Sequence, residues 1–154
     1  MLSLRPTSEA DLPLLLAWRH NRRVVQYFAD GFEIWEHHKR WFASLMPLVA
    51  ESYVIILDER PVGETHIAWG NGIPDIGLYI GDLSIWGEGI GKEAISLLLA
   101  NLRARYRGRV TATIHPSNFH SRMLFKGVGF KFSALKDDKY LVFEMSLEEV
   151  NGQP

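Results

Sequence analysis

The chain has 154 residues, 47% of them apolar, enough for one domain with a real core, residues 1–154, and too few for two. A formal net charge of −1 and the lack of a long basic run exclude the electrostatic footprint of a nucleic-acid or membrane-surface binder. Without cysteine there is no disulfide, cysteine-held zinc or thiol nucleophile; without a charged-then-apolar leader or a membrane-length apolar run of ~18 residues, a cytoplasmic protein is expected.

Leu2 to Arg5 alternates apolar and polar residues as a first strand, which Pro6-Thr7-Ser8 ends. The helix after it starts either at Ser8, with Asp11 three residues on, or at Asp11. Pro13 favours the later start, and Leu12, Leu15, Leu16 and Arg19 mark one face to about Asn21. Arg22 to Phe32 reads as an aromatic-rich linker, and Ile34 to Leu48 as a second helix ending near Pro47. Ser52 to Leu57, the turn Asp58 to Pro61, and Val62 to Trp69 form a hairpin by β-branched content and turn chemistry. Asn71-Gly72 signals another hairpin turn, followed by a strand from Ile73 to Ile80.

A helix from Gly89 to about Arg105 carries Ile90, Ala94, Leu97, Leu98 and Leu102 on one face. Arg109 to Ile114 reads as a buried strand, Asn118 to Val128 as a helix capped by Asn118 or Ser117 with Gly129 as its C′ residue, and 131–135 with 140–146 as an antiparallel pair. The order is β-α-α-β-β-β-α-β-α-β-β. It predicts an α/β (α+β) fold with a mixed, mostly antiparallel sheet between helices.

The densest chemical signal is Ile85-Trp86-Gly87-Glu88-Gly89-Ile90-Gly91-Lys92-Glu93-Ala94, three glycines feeding straight into a helix. Such a turn frees backbone N–H groups at the positive end of a helix dipole, which suits phosphate or pyrophosphate. It is not a P-loop, since Trp86 stands where the first glycine belongs and Glu93 where Ser or Thr should follow Lys92. It is not a dinucleotide fingerprint either, because Gly87, Gly89 and Gly91 are spaced G-x-G-x-G and fall past mid-chain.

A second stretch, His115-Pro116-Ser117-Asn118-Phe119-His120-Ser121-Arg122-Met123-Leu124-Phe125-Lys126-Gly127-Val128-Gly129-Phe130, completes a pattern. Together the two resemble the acetyl-CoA-binding signatures of the GNAT N-acetyltransferase superfamily, in which a Gln/Arg-x-x-Gly-x-Gly/Ala loop precedes the main helix and an Asn-x-x-Ser helix ending in Gly-Phe follows. Trp86 replaces the usual Gln or Arg, as in the branch similar to ribosomal-protein and small-molecule N-acetyltransferases. The element order is also that of the superfamily.

The resemblance implies acetyl-CoA as cofactor, held by Trp86, Gly87, Glu88, Gly89, Ile90, Gly91 and Lys92. It implies that the fourth and fifth strands splay, so that backbone groups around Leu78, Tyr79 and Ile80 meet pantetheine, and that Asn118, Ser121 and Phe125 line the cofactor. Asn118 also reads as an ordinary helix cap, and Leu78 and Ile80 as ordinary core. Relatives carry a tyrosine at the position of Phe125 to protonate the leaving thiolate, and phenylalanine has no proton to give. Water, Ser121 or Tyr79 would have to substitute.

An alkyl ammonium acceptor, with a pKa of about 10.4, must lose a proton before it attacks. Asp75, Tyr79, Glu64 and His66 lie on the strands nearest the splay, and each could equally be a solvated strand residue. Asp75 with Tyr79 is the favoured pair: the period of two puts 75, 77 and 79 on one side, with Gly77 leaving open space between. Trp18, Tyr27, Phe28, Phe32, Trp35, Trp41 and Phe42, interleaved with Asp30, Glu33 and Glu36, suggest an aromatic, acid-tinged acceptor wall, although most would serve helix packing. His37-His38 has no metal-ligand partners at useful spacing, so no metal is expected. The acceptor expected is the amine of a small molecule, an aminoglycoside or amino-sugar; the alternatives are a protein N-terminus and a non-catalytic CoA-binding module. A homodimer is compatible with the sequence, which does not fix the oligomeric state.

Overall fold

Short turns make most of this sheet antiparallel. In the computed structural model, which describes residues 1–26, 50–70 and 72–147, strands β2 (Ala50–Leu57) and β3 (Arg60–Ala68) are joined by Asp58 and Glu59 alone, at φ +50° and +71°. Two consecutive left-handed residues make the tight turn whose twist matches the strands, and aspartate tolerates that conformation better than most residues. The same device, Asp137-Asp138 at φ +54° and +53°, joins β6 (Lys131–Lys136) to β7 (Tyr140–Ser146).

With β1 (Leu2–Pro6), β4 (Asp75–Ile80) and β5 (Arg109–Ile114), these strands form a seven-stranded sheet in the order β1-β2-β3-β4-β5-β7-β6. Every neighbouring pair is antiparallel except β4 and β5, which are parallel. The mixed, mostly antiparallel sheet flanked by helices is the architecture that the sequence predicts.

The helices are α1 (Leu12–Arg19), α2 (Arg22–Val25), α3 (Ile90–Arg103) and α4 (Phe119–Val128), with 3-10 turns at Glu9–Asp11 and Leu83–Ile85. Both expected starts for α1 are used: Asp11 Oδ2 accepts the Ser8 N–H at 2.7 Å within the 3-10 turn, and the α-helix begins at Leu12 with Pro13 in its first turn. The short α2 falls inside the segment read as linker, started by Asn21, whose side chain accepts the Arg23 N–H at 2.9 Å. Strand β4 begins at Asp75 rather than Ile73. The expected helix from Ile34 to Leu48, most of the aromatic wall and Asn71 lie outside the described residues. No described helix is long and apolar enough to cross a membrane.

Helix α3 covers one face of the sheet. Its buried side chains are Ala94, Ile95, Leu98, Leu99 and Leu102; of the expected stripe Ala94, Leu98 and Leu102 are buried and Ile90 and Leu97 partly so, while Ile95 and Leu99 widen it. The reason is that the helix beds on Ile67, Ile76, Val110, Ala112 and Phe143 while Phe125 of α4 closes its flank, so two adjoining sides are covered. Each fully buried leucine truncated to alanine there would cost roughly 2–5 kcal/mol. On the opposite face Val24, Val25 and Tyr79 pack with Trp18 and Leu83. Gly81 lies beneath Trp18, where a Cβ would come within 2.2 Å of the indole.

Candidate active site

The site begins where the sheet comes apart. Strands β4 and β5 share a single register pair, Asp75 with Thr111, next to the Thr111 N–H bonded to the Pro74 carbonyl at 3.0 Å. Beyond it the strands diverge. Since Pro74 faces β5, strand parity turns the main chain of Ile76, Leu78 and Ile80 toward the gap. The main chain of 77, 79 and 81 turns toward β3, as the bonds Thr65 Oγ1–H to the Gly77 carbonyl (2.8 Å) and Gly81 N–H to the Val62 carbonyl (2.8 Å) require. Leu78 and Ile80, but not Tyr79, therefore offer backbone groups to the gap, and the Trp86 indole N–H takes the Ile80 carbonyl at 2.9 Å.

At the open end of the gap lies the glycine loop. Asp82 holds its approach by accepting from the Ser84 N–H and hydroxyl at 3.0 and 2.6 Å. Gly87 and Gly89 then sit at φ +88° and +81°, with nothing within 4 Å of where a Cβ would stand. Gly89 caps α3, and the first bond of that end runs from Glu93 N–H to the Gly89 carbonyl, so the helix itself leaves the N–H groups of Ile90, Gly91 and Lys92 unclaimed. Gly91 is glycine for another reason: a Cβ there would meet Leu124 at 2.8 Å and Leu78 at 3.3 Å. Trp86 is partly exposed, with the Arg23 guanidinium 5.4 Å from its ring centre.

A continuous cavity of about 820 Å³ runs from this loop through the gap to α1. Trp86, Gly87, Gly89, Ile90, Gly91 and Lys92 line it at the loop end; Glu88 is exposed and does not. Asn118 and Ser121 line its middle, the Asn118 oxygen capping α4 by accepting the Ser121 N–H at 3.2 Å. Phe125 lines the same wall one turn on, buried and edge-on to Phe130 at 5.1 Å between ring centres.

The α1 end is polar. Glu64, only 5% exposed, accepts from the Ser52 hydroxyl at 2.6 Å and from His66 Nδ1 at 2.9 Å. Burial alone would raise the Glu64 carboxyl, but His66 and the Ser52 hydroxyl hold it below the usual carboxylate range. Burial likewise works to lower His66, and Glu64 outweighs it, so the imidazole is raised above its ordinary value. The space expected over Gly77 is not open: the His66 ring lies there, and a Cβ on Gly77 would stand 2.8 Å from its Nε2.

Tyr79 lines the cavity beside this group, its phenol raised well above the ordinary value by burial and by the Glu64 charge, with Arg19 offsetting them. Asp75 lies off the cavity wall. Its Oδ1 accepts from Thr111 and Thr113 at 2.7 and 3.0 Å, bracing the seam, and burial raises its carboxyl against those bonds. Sequence reasoning missed Arg19 and Ser52 as cavity residues. Arg19 was visible only as a helix-face position, and Ser52 shows its place only through the β2–β3 register, which pairs it with His66.

The acetyltransferase (GNAT) domain family model matches residues 1–131. The chain is 32% identical over 151 residues to the uncharacterized protein MJ1062 of Methanocaldococcus jannaschii, covering 94% of this chain and 31% of that protein, so it spans about a third of that relative's length. A crystal structure of a domain from the same organism superposes with TM-score 0.88 at 29% identity, covering 95% of this chain and 98% of that one. The aminoglycoside acetyltransferase AAC(6')-Ib, solved with coenzyme A and kanamycin, superposes with TM-score 0.83 at 17% identity over 95% of each chain. With a family model spanning most of its length, and with the splayed strands and the glycine loop that the family's motifs imply, this chain belongs to the GNAT acetyltransferase family.

Proposed function

We propose that the chain transfers the acetyl group of acetyl-CoA directly to a primary amine of a small molecule, an amino-sugar or aminoglycoside. The observation that carries this reading is the single cavity joining a glycine cradle to a polar chamber across the gap between β4 and β5. The residues present fit the cofactor. The cradle at Gly87 and Gly89 has room for close approach, unclaimed N–H groups follow it, and Lys92 adds a positive charge on the same wall. Bound there, acetyl-CoA supplies an acetyl group already activated as a thioester.

Leu78 and Ile80 would orient the pantetheine arm through their main chain, and Asn118 would do so with the side-chain N–H groups that capping leaves over. Phe125 excludes water but offers no proton. Ser121, four residues earlier on the same face of α4 and on the cavity wall, is the donor we assign to the departing thiolate. Tyr79 keeps its proton at neutral pH and shapes the amine end. The likeness to an enzyme solved with kanamycin supports a ring-borne amine.

The test is release of free CoA thiol with aminoglycosides, nucleotide-linked amino-sugars, polyamines and short peptides as acceptors. Turnover is expected with ring-borne amines. Turnover confined to peptides would move the assignment to protein N-termini, and acetyl-CoA binding without turnover on any acceptor would leave a CoA-binding module.

A further inference from the structure

Four polar side chains form a line that cofactor binding does not use. Thr7 Oγ1 lies 2.8 Å from Ser52 Oγ, whose own proton goes to Glu64 Oε2 at 2.6 Å, while Glu64 Oε1 takes the proton of His66 Nδ1 at 2.9 Å. A buried carboxylate with both oxygens engaged has one stable arrangement, and it fixes the imidazole tautomer: with Nδ1 as donor, Nε2 carries the lone pair. Among the described residues Nε2 has no hydrogen-bond partner. The side chain is 40% exposed, lines the cavity, and rests on Gly77, one residue from Leu78, whose main chain faces the gap.

We propose that His66 is the base that takes the proton of the acceptor amine, with Glu64 as its positioning residue; this rests on the N-acetyltransferase reading above. The ammonium gives one proton to Nε2, forming imidazolium and neutral amine. The amine nitrogen then bonds to the acetyl carbon as the carbon–sulfur bond breaks, its second proton ends on the released thiol, and the imidazolium returns the first to water. Among the described residues, the charged groups acting on His66 are Glu64 on its own strand, Asp75 on β4 and Arg19 on α1, with Tyr79 beside Glu64 on the same cavity wall. The two carboxylates favour imidazolium and Arg19 opposes it.

The experiment is the pH profile of kcat/KM, with the best amine of the panel, for the wild type, His66→Ala, His66→Gln, Glu64→Gln and Asp75→Asn, beside acetyl-CoA affinity by calorimetry. In the wild type, activity should rise with pH along a limb above the ordinary histidine value of about 6.5. His66→Ala should lose roughly 100-fold to 10,000-fold in kcat at an unchanged acetyl-CoA Kd and regain part of it in added imidazole; His66→Gln serves if the alanine variant does not fold. Glu64→Gln should move the limb down by roughly one pH unit or more. If the limb persists in both His66 variants and vanishes in Asp75→Asn, the proposal is overturned in favour of Asp75. A wild type that binds acetyl-CoA and turns over no amine overturns the underlying reading instead.

Discussion

Gly89 and Gly91 stand two residues apart and are glycine for unrelated reasons, so their substitutions should separate. Gly89→Asp puts a side chain and a negative charge into the open cradle and forces a left-handed conformation costing about 1–2 kcal/mol. It should abolish acetyl-CoA binding by calorimetry while the protein still melts cooperatively. Gly91→Ala meets only the movable ends of Leu124 and Leu78 and gains helix propensity, so stability should change by no more than about 1 kcal/mol in denaturant titration while binding persists. Both glycines were legible as a motif, but the reason for Gly91 lies on another helix. Gly77 teaches the same lesson. Its neighbour across the ladder is His66, and what reads along the strand as open space is the seat of that ring. Phe125 was readable as a missing acid, because that inference concerns only the side chain's own chemistry.

At the scale of elements, the clearest tie outside the site is Glu51. Its oxygens accept from Arg105 at 2.6 and 3.0 Å, from the Tyr53 hydroxyl at 2.7 Å and from the Trp69 indole at 2.9 Å, fastening β2 and β3 to the chain just beyond α3. Burial first, then the Glu51 carboxylate, pushes the Tyr53 phenol up to about 12. A double-mutant cycle of Glu51→Gln and Arg105→Ala should show a coupling of about 1–2 kcal/mol, and a coupling near zero would make the pair a surface ornament. None of this network is visible in sequence, since residues 51 and 105 meet only once β2 and α3 are packed. Element types were readable because periodicity is local. The α3 stripe is wider than its period shows because burial on its second flank depends on α4, and α2 is too short to carry a period. The outer strand β6 shows why a sheet can end safely: Phe132 and Leu135 are exposed, yet Lys131 and Lys136 close its ends and the register slips between Phe132 and Ala134.

For the whole molecule, the titrating groups set a direction. Asp11, through Arg5, and Glu51 and Glu64, through their partners and against their burial, are all held below their ordinary values. A carboxyl lowered in the folded state contributes stability above its unfolded pKa of about 4, and that contribution is lost as pH falls through the folded value. Asp75 is raised and acts oppositely: its contribution is present at low pH and lost as pH rises through its folded value. Asp82 is also lowered, by Ser84 and Arg60, so with four groups against one Tm should fall as pH is lowered from 5 toward about 3, and Glu64→Gln should flatten the slope; a Tm that rises on acidification would contradict this balance. The parted strands have a last consequence. As a lattice of amide protons, the sheet has a fault line: Leu78 and Ile80 have only their β3 neighbours in register, and one rung at Asp75 joins β1–β4 to β5–β7. Helix α3 packs on both half-sheets through one shared core, so the amides beside the fault should open at lower free energy than those of the covered strands. Anything lodged across the fault adds a second tie to the one that α3 makes, so occupancy of the site becomes a property of the fold itself, felt as slower exchange on both sides.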